Sequence, residues 1–465
     1  MFLQKKRFFL IGVITIFLLL TVAGTFAWYF WTLEKISNNN HLSSLSLAMA
    51  IRRHAQKEQE IESEKTLPFY EVLRQKFLLS TRDFLEINLQ KMSIRVFKSG
   101  ILIKEVKILK QGDEKNWGGT AVGLYKIIRG FPSAYSVISN VYMPWTLHFY
   151  GKYYVHGEPY YSDGSPLISE FSGGCIRLKN ADAKIIYELT EKNMPVIVID
   201  KEKDGYEYTE EQVTPFPEIS AKSFLVADID SGFIFAKKNS NMVWPMASLT
   251  KLMTAIVIAE NVELNKTITV SEKMLEPYGS TENIEEGDIF RAIELFYPLL
   301  IESSNDSGEI LSHFLGKERM LTLMDEKAKA IMMEQTKFAD SFGYDPENTS
   351  TAQDIFYLAR YISNNRSPIW DITKSKQVRS FGSVSFDIEN LWNKNIFIND
   401  PTFIGGKTGY IIDSRYNAVF VFKLTTYDDA ERRIAIITLG SENEELDSQK
   451  IYSWLIKNYF PNTKT

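Results

Sequence analysis

Cys175 is the only cysteine of the chain, set after Ser172-Gly173-Gly174 and before Ile176-Arg177-Leu178. Paired glycines allow a tight turn and a close backbone approach. A thiol beside a base or a cation becomes a nucleophile. His156, at the end of the strand-like Tyr154-Val155-His156, is the candidate base, and Arg177 adds positive charge. The bland alternative, a small buried hydrophobe, stays open on these residues alone. A second set begins at Ala247-Ser248-Leu249-Thr250-Lys251, which opens a helical stretch. Ser248 and Lys251 then share one face at i and i+3. A helix N-terminus favours developing negative charge, and a desolvated lysine can act as a base. The alternative is an N-cap serine with a surface lysine. Ser303-Ser304-Asn305 closes a later helical stretch, and Gly406-Lys407-Thr408-Gly409 precedes a strand near the C-terminal end.

Composition narrows the chemistry. With 465 residues, the chain holds two or three domains at roughly 150 residues each. Its 45% apolar and 24% charged residues fit packed cores and exclude wholesale disorder. A net charge of −5, from 53 basic and 58 acidic residues, argues against nucleic acid as the main partner. One cysteine excludes an intramolecular disulfide, a Cys-x-x-Cys redox pair and a Cys-rich zinc site. The five histidines (His41, His54, His148, His156 and His313) form no His-Glu-x-x-His motif. The expectation is therefore chemistry with no metal and no cofactor. His148 reads as a strand residue packing near the His156 site, His41 and His54 as solvated, and His313 as packed.

The elements that must position these residues follow from patterning. Lys5-Lys6-Arg7 precede a charge-free stretch from Phe8 to Leu33. As a helix it reaches about 39 Å, enough to cross a bilayer core of about 30 Å. Basic residues come first, so residues 1–33 are expected to be a cytoplasmic tip and single-pass transmembrane anchor. Trp28, Tyr29, Phe30 and Trp31 would form an aromatic belt, with everything beyond exocytoplasmic. The rival is a cleaved signal peptide with Thr25-Phe26-Ala27 at the cut.

Residues 34–82 are polar and charged and read as a helical stalk. Residues 83–200 read as mostly β, with strands at 84–89, 93–97, 101–109 and 195–199 and a short helix at 182–192. Residues 201–219 read as a linker. Residues 220–465 read as an α+β domain: a hairpin around Asp230-Ser231-Gly232, then helices at 249–260, 291–303, 318–333 and 351–363. Strands return at 416–423 and 433–439, before a last helix at 448–458. That order fits one sheet backed by a helical lobe.

Within 83–200 the stretches Gly119-Thr120-Ala121-Val122-Gly123-Leu124-Tyr125, Met143-Pro144 to Phe149, His156-Gly157, Ser172-Gly173-Gly174-Cys175-Ile176-Arg177 and Asn180-Ala181-Asp182-Ala183 occur in one order. Together they resemble the catalytic domain of YkuD-type L,D-transpeptidases. Ala121 stands where that family usually has Pro, and Gly173 where it commonly has His. The resemblance implies Cys175 as nucleophile, His156 as its base and the Gly157 carbonyl as orienter. It also implies backbone N–H groups around Gly174 and Cys175 as an oxyanion hole, with Arg177 on the substrate side.

The three clusters of the second set occur in the order of the penicillin-recognising serine acyltransferases. With Thr336-x-Phe338, Asp340-Ser341-Phe342-Gly343 and Ser350-Thr351-Ala352-x-Asp354 between them, residues 220–461 resemble the D-alanyl-D-alanine carboxypeptidases, the low-molecular-mass penicillin-binding proteins. That resemblance implies a serine β-lactamase-like fold and gives each residue a role. Ser248 is the nucleophile, Lys251 its base and Ser303 a proton relay. Asn305 holds a substrate amide, and Lys407 and Thr408 bind the terminal carboxylate. Gly409 and Tyr410 flank the substrate, and the N–H groups of Ser248 and Tyr410 receive the oxyanion. No Glu-x-x-Leu-Asn lies between the second and third motifs, whereas class A β-lactamases need such a glutamate.

The expected protein is thus a membrane-anchored exocytoplasmic enzyme of bacterial peptidoglycan, acting on stem peptides and covalently inhibited by β-lactams. The carboxypeptidase would make tetrapeptide stems that the transpeptidase then uses as donors. Two alternatives remain: a β-lactamase, and a wall-binding scaffold with one or both sites inactive.

Overall fold

The computed structural model describes residues 69–464, apart from 114–116, 170–171, 201–203, 209–212, 277–282, 379–381 and 383–384. The expected anchor and residues 34–68 of the expected stalk lie outside the described residues. Among the described residues no helix is long and apolar enough to cross a membrane. The chain divides into two compact units, residues 1–72 and 73–465, and nearly all described residues belong to the second.

After helix α1 (Phe69–Leu79) come strands β1 (Phe84–Asn88), β2 (Ser93–Lys98) and β3 (Ile101–Lys107). They are followed by β4 (Gly123–Lys126), β5 (Arg129–Ser136), β6 (Val141–Tyr150), β7 (Tyr153–His156), β8 (Ile176–Arg177), α2 (Asn180–Leu189) and β9 (Pro195–Ile199). They build two sheets, ordered β3-β2-β1-β9-β4 and β5-β6-β7-β8. Alternation sends Leu85, Ile87, Ile94, Val96, Val196 and Val198 into one core with Leu147, Phe149, Val155, Ile176 and Ile186. The other face of β1 is also covered. Phe84 stacks on Phe97 at 4.4 Å and meets Phe77 of α1 at 5.4 Å. Buried Glu86 is held by Arg74 and Arg95. Residues 74 and 77, expected in a solvated stalk, therefore pack on this sheet.

Residues from Ser223 onward form β10 (Ser223–Asp228), β11 (Ile234–Lys238), β12 (Trp244–Pro245), α3 (Thr250–Asn261), β13 (Thr267–Thr269), β14 (Ile289–Arg291), α4 (Asn305–His313) and α5 (Lys317–Ala330). Next come β15 (Thr349–Ser350), α6 (Ala352–Asn365), α7 (Pro368–Thr373), β16 (Phe403–Ile411), β17 (Arg415–Thr425), β18 (Glu431–Ser441) and α8 (Glu444–Asn458). The sheet runs β11-β10-β18-β17-β16, all antiparallel. Both its faces are buried, which is why its strands read as apolar runs. In β17, Val419 and Val421 face the helical lobe, while Ala418, Phe420 and Phe422 face the layer of α8.

Two expectations fail locally. Residues 291–303 are not one helix. β14 ends at Arg291, turns follow, and Pro298–Glu302 form a single wide π-type turn. Ser304 N–H reaches back to the Pro298 carbonyl at 3.0 Å, and Ser303, left-handed at φ 67°, ends the turn. The Gly406–Gly409 motif does not precede a strand but lies within β16, at the edge of the sheet. The glycines of β16 suit close packing: a Cβ on Gly405 would lie 2.6 Å from Trp370, and one on Gly409 would lie 2.9 Å from the Ser248 nitrogen.

The β-rich region and the sheet-and-lobe region interlock. Trp117 enters the helical-lobe core, 5.3 Å from Phe296, and Ala330 packs into the first core. Between them lies a buried charge cluster. Glu260, at the end of α3, pairs with Lys327 of α5 at 2.9 Å and with Arg366 at 2.8 Å. Lys327 donates to the hydroxyls of Tyr125 and Tyr361, both at 2.8 Å. Arg366 donates to the Tyr153 hydroxyl at 2.6 Å and to the Gly119 carbonyl at 3.0 Å. Burial works against the Glu260 carboxylate, but Lys327 and Arg366 outweigh it and hold the carboxyl below its usual range.

Candidate active sites

Strand β7 pairs in parallel with β8, placing Val155 opposite Ile176 and His156 opposite Arg177. Cys175 immediately precedes β8, so this register sets it beside Tyr154, two residues before His156 on β7. Cys175 and His156 line one cavity of about 710 Å³, together with Arg177. The Nδ1 atom of buried His156 lies 2.6 Å from the Gly157 carbonyl oxygen. That oxygen can only accept, so Nδ1 carries the proton and Nε2 presents a lone pair. Burial, with Arg177 nearby, pushes the imidazole down to about 4, although the Gly157 bond opposes the shift. Burial pushes the half-buried Cys175 thiol up to about 11, partly countered by the Tyr154 backbone, Arg177 and Lys152. At neutral pH both groups are therefore uncharged, so a thiolate forms here only if a base takes the proton.

The turn before Cys175 is braced from beneath. Gly174, at φ +108°, rests on the ring of Tyr153, and a Cβ there would come within 2.3 Å of that ring. Its carbonyl accepts from Thr120 Oγ1 at 2.9 Å. Gly173 has open space around it, so its departure from the family's usual His strains nothing. Gly157 leaves room for Asn180: a Cβ would lie 2.3 Å from Asn180 Oδ1, which accepts the Glu158 N–H at 2.8 Å. His148 stacks on Tyr154 at 4.6 Å and bonds the Gly151 carbonyl, so it packs beside the site. In the sequence Thr120 and Asn180 stand out only as members of motif stretches, and the one signal of Tyr153 is an aromatic strand leading to His156.

In the second site Ser248 sits in a 3₁₀ turn, Ala247–Leu249, that runs into α3. Ala247 is left-handed at φ 49°, and Gly343 crosses it so closely that a Cβ would lie 2.0 Å from the Ala247 carbonyl oxygen. Lys251, fully buried, places Nζ 3.0 Å from Ser248 Oγ and 2.7 Å from Asn305 Oδ1, and also donates to the Phe342 carbonyl. Burial lowers its ammonium to about 7, with Lys394 adding to the effect and Asp340 opposing it. Lys407 of β16 donates to Ser303 Oγ at 2.9 Å. Burial, Lys251 and Lys394 hold it well below the usual lysine range. Thr408 follows on the same strand and accepts from Lys407 through its carbonyl. Tyr410 is exposed and packs on Tyr416 at 4.6 Å.

All three sequence clusters thus meet around the Ser248 turn. Ser304 caps α4 by accepting the Ser307 N–H, so Asn305 opens a helix rather than following one. Lys394, a loop residue, and Gly343 were missed as site residues; neither carries a local signal of its distant contact. Among the described residues no group of three or more His, Cys, Asp or Glu is placed to hold a metal ion.

Comparison with known proteins divides the chain the same way. Residues 82–198 match the L,D-transpeptidase catalytic domain family, and residues 209–443 match the D-alanyl-D-alanine carboxypeptidase family. A D-alanyl-D-alanine endopeptidase of Haemophilus influenzae is 31% identical over 210 residues, 44% of this chain and 70% of that protein. The D-alanyl-D-alanine carboxypeptidase DacB2 of Mycobacterium tuberculosis is 28% identical over 207 residues, 42% and 68% of the two chains. A crystal structure of a D-alanyl-D-alanine carboxypeptidase from Mycobacterium tuberculosis is similar over 56% of this chain and 99% of that one, at 24% identity and a TM-score of 0.48.

Proposed function

The chain belongs to the D-alanyl-D-alanine carboxypeptidase family and carries an L,D-transpeptidase catalytic domain ahead of that region; from this premise we propose a two-site enzyme that remodels bacterial peptidoglycan. The observation that carries the serine site is the 3.0 Å contact of Lys251 Nζ with Ser248 Oγ, made by an ammonium already lowered to about 7. Lys251 takes the Ser248 proton as Oγ attacks the carbonyl of the penultimate D-Ala of a pentapeptide stem. The N–H groups of Ser248 and Tyr410 receive the oxyanion. Ser303, bonded to Lys407, passes a proton to the departing D-Ala amine, and Asn305 holds a stem amide. Lys407 and Thr408 bind the terminal carboxylate, whose charge restores that of Lys407. Water then hydrolyses the acyl-Ser248 ester.

At the other site Cys175 attacks the carbonyl of the third stem residue, and its proton passes to His156 Nε2 and on to the released D-Ala. A second stem's amine displaces the thioester, giving a cross-link between third residues. Tetrapeptide made at Ser248 is the donor. Residues 1–33 anchor the protein in the cell membrane as a single span with its N-terminus in the cytoplasm, and both sites face outward.

Against a β-lactamase reading stands the lack of a Glu-x-x-Leu-Asn glutamate between the second and third motifs of the sequence. Penicillins are expected to form a lasting acyl-enzyme at Ser248; rapid penicillin turnover would reverse this choice.

The test gives full-length enzyme labelled pentapeptide stems only. Wild type releases D-Ala and forms L,D cross-links. Cys175→Ala stops at tetrapeptide, and Ser248→Ala makes neither tetrapeptide nor cross-link. Undiminished cross-linking by Ser248→Ala refutes the relay.

A further inference from the structure

The Cys175 cavity is not built by the transpeptidase region alone. The turn between β6 and β7, Gly151-Lys152, abuts the C-terminal end of α3 in the carboxypeptidase region. Lys152 N–H donates to the Glu260 carbonyl at 3.3 Å, and Lys152 Nζ donates to the Val262 carbonyl at 3.4 Å. Gly151, at φ +45°, has no room for a Cβ, which would lie 2.6 Å from the same Glu260 carbonyl. This contact carries the next three residues, Glu263, Leu264 and Asn265, into the wall of the cavity that holds Cys175, His156 and Arg177. Leu264 is buried and fixes the segment, while Glu263 and Asn265 are exposed.

The charges of that wall are unequal. Arg129, Lys152 and Arg177 line it from the transpeptidase region, and Glu263 is the only carboxylate among the described lining residues. Glu263 is close enough to Lys152 to oppose the lowering that burial imposes on it. A stem that acylates Cys175 brings a carboxylate, which three basic groups suit. A stem that accepts the acyl group must bring an amine, cationic before it reacts, and basic groups repel it.

Resting on the transpeptidase reading above, we propose that Glu263 of the carboxypeptidase region is the docking group for the ammonium of the acyl acceptor, so that the transpeptidase site is completed by the other domain. The ammonium pairs with Glu263 and loses one proton to solvent before attack. The amine nitrogen then bonds to the thioester carbon and gives a second proton to His156 Nε2, the C–S bond breaks, and His156 returns that proton to the Cys175 sulfur.

The experiment supplies full-length enzyme with a tetrapeptide donor and a diamino-acid stem as acceptor. It measures how the acyl-enzyme divides between transfer to the amine and hydrolysis by water. Glu263→Gln is expected to shift that ratio about tenfold toward hydrolysis, the loss of one charge-assisted contact. Glu263→Lys should shift it further, and Glu263→Asp should restore part of it. An unaltered ratio in both Glu263→Gln and Glu263→Lys, with acyl-Cys175 visible by mass spectrometry, overturns the proposal and leaves the transpeptidase reading standing. No acyl-Cys175 in the wild type overturns both.

Discussion

Arg366 donates a 2.6 Å hydrogen bond to the hydroxyl of Tyr153, and the ring of Tyr153 is what Gly174 rests on, one residue before Cys175. A guanidinium of the carboxypeptidase region therefore steadies the turn that presents the transpeptidase thiol. The same guanidinium neutralises Glu260, so its two tasks separate by substitution.

Arg366→Met is expected to lower stability by about 3–5 kcal/mol, because Glu260 and Lys327 stay buried with one partner missing. Both activities should fall together with the melting temperature. Tyr153→Phe removes one hydrogen bond, at a cost of about 1 kcal/mol. It should slow acylation of Cys175 while D-Ala release continues. Equal loss of both activities in Tyr153→Phe would show that the bond serves only the fold.

Acid should weaken the same junction. The Glu260 carboxyl is held below its usual range, so its contribution to stability is complete above its ordinary value near 4.5 and is lost as pH falls through its lower folded value. In Glu260→Gln the acid limb of the unfolding curve, followed by circular dichroism, should flatten.

The two sites should answer pH differently. Below about 7 Lys251 is increasingly protonated and cannot take the Ser248 proton. Carboxypeptidase kcat/KM should therefore fall about tenfold per pH unit on the acid side and level off above 7. Cys175 alkylation by iodoacetamide should be slow at pH 7 and climb toward about 11, the value to which burial raises the thiol. A rapid, pH-independent alkylation at pH 7 would contradict the uncharged resting pair.

Two glycines should separate the activities. Gly174→Ala meets the Tyr153 ring at 2.3 Å and a strained φ of +108°, so it should abolish acylation of Cys175 but spare penicillin labelling of Ser248. Gly343→Ala drives a methyl into the Ala247 carbonyl at 2.0 Å and should do the reverse. Labelling by a fluorescent penicillin, with intact-mass detection of acyl-Cys175, reads both.

Much of this was legible in the sequence, because both candidate nucleophiles lie in short, locally determined motifs. Ser248 and Lys251 are one helical turn apart, and Gly174 and Cys175 are adjacent, so spacing alone states their relation. The strands were legible for the same reason, as short apolar and aromatic runs bounded by turn residues. What escaped was long-range. Glu260, Lys327 and Arg366 lie far apart in the sequence, and only the packing of α3, α5 and the residue after α6 brings them together. Gly406-Lys407-Thr408-Gly409 read as preceding a strand rather than lying within one, since glycine disfavours a strand until something must lie against it. Here Trp370, Phe420 and the Ser248 turn do. Residues 291–303 were apolar enough for a helix, but Pro298 and left-handed Ser303 limit them to a turn.

Helix α3 begins two residues after Ser248 and ends two residues before Glu263, a span of about 18 Å over its 12 residues. Both of its ends are committed to catalytic pockets. The boundary between the two regions is therefore not a clean seam. A replacement carboxypeptidase would have to arrive with the same helix end, the same buried acid and the same arginine already in register.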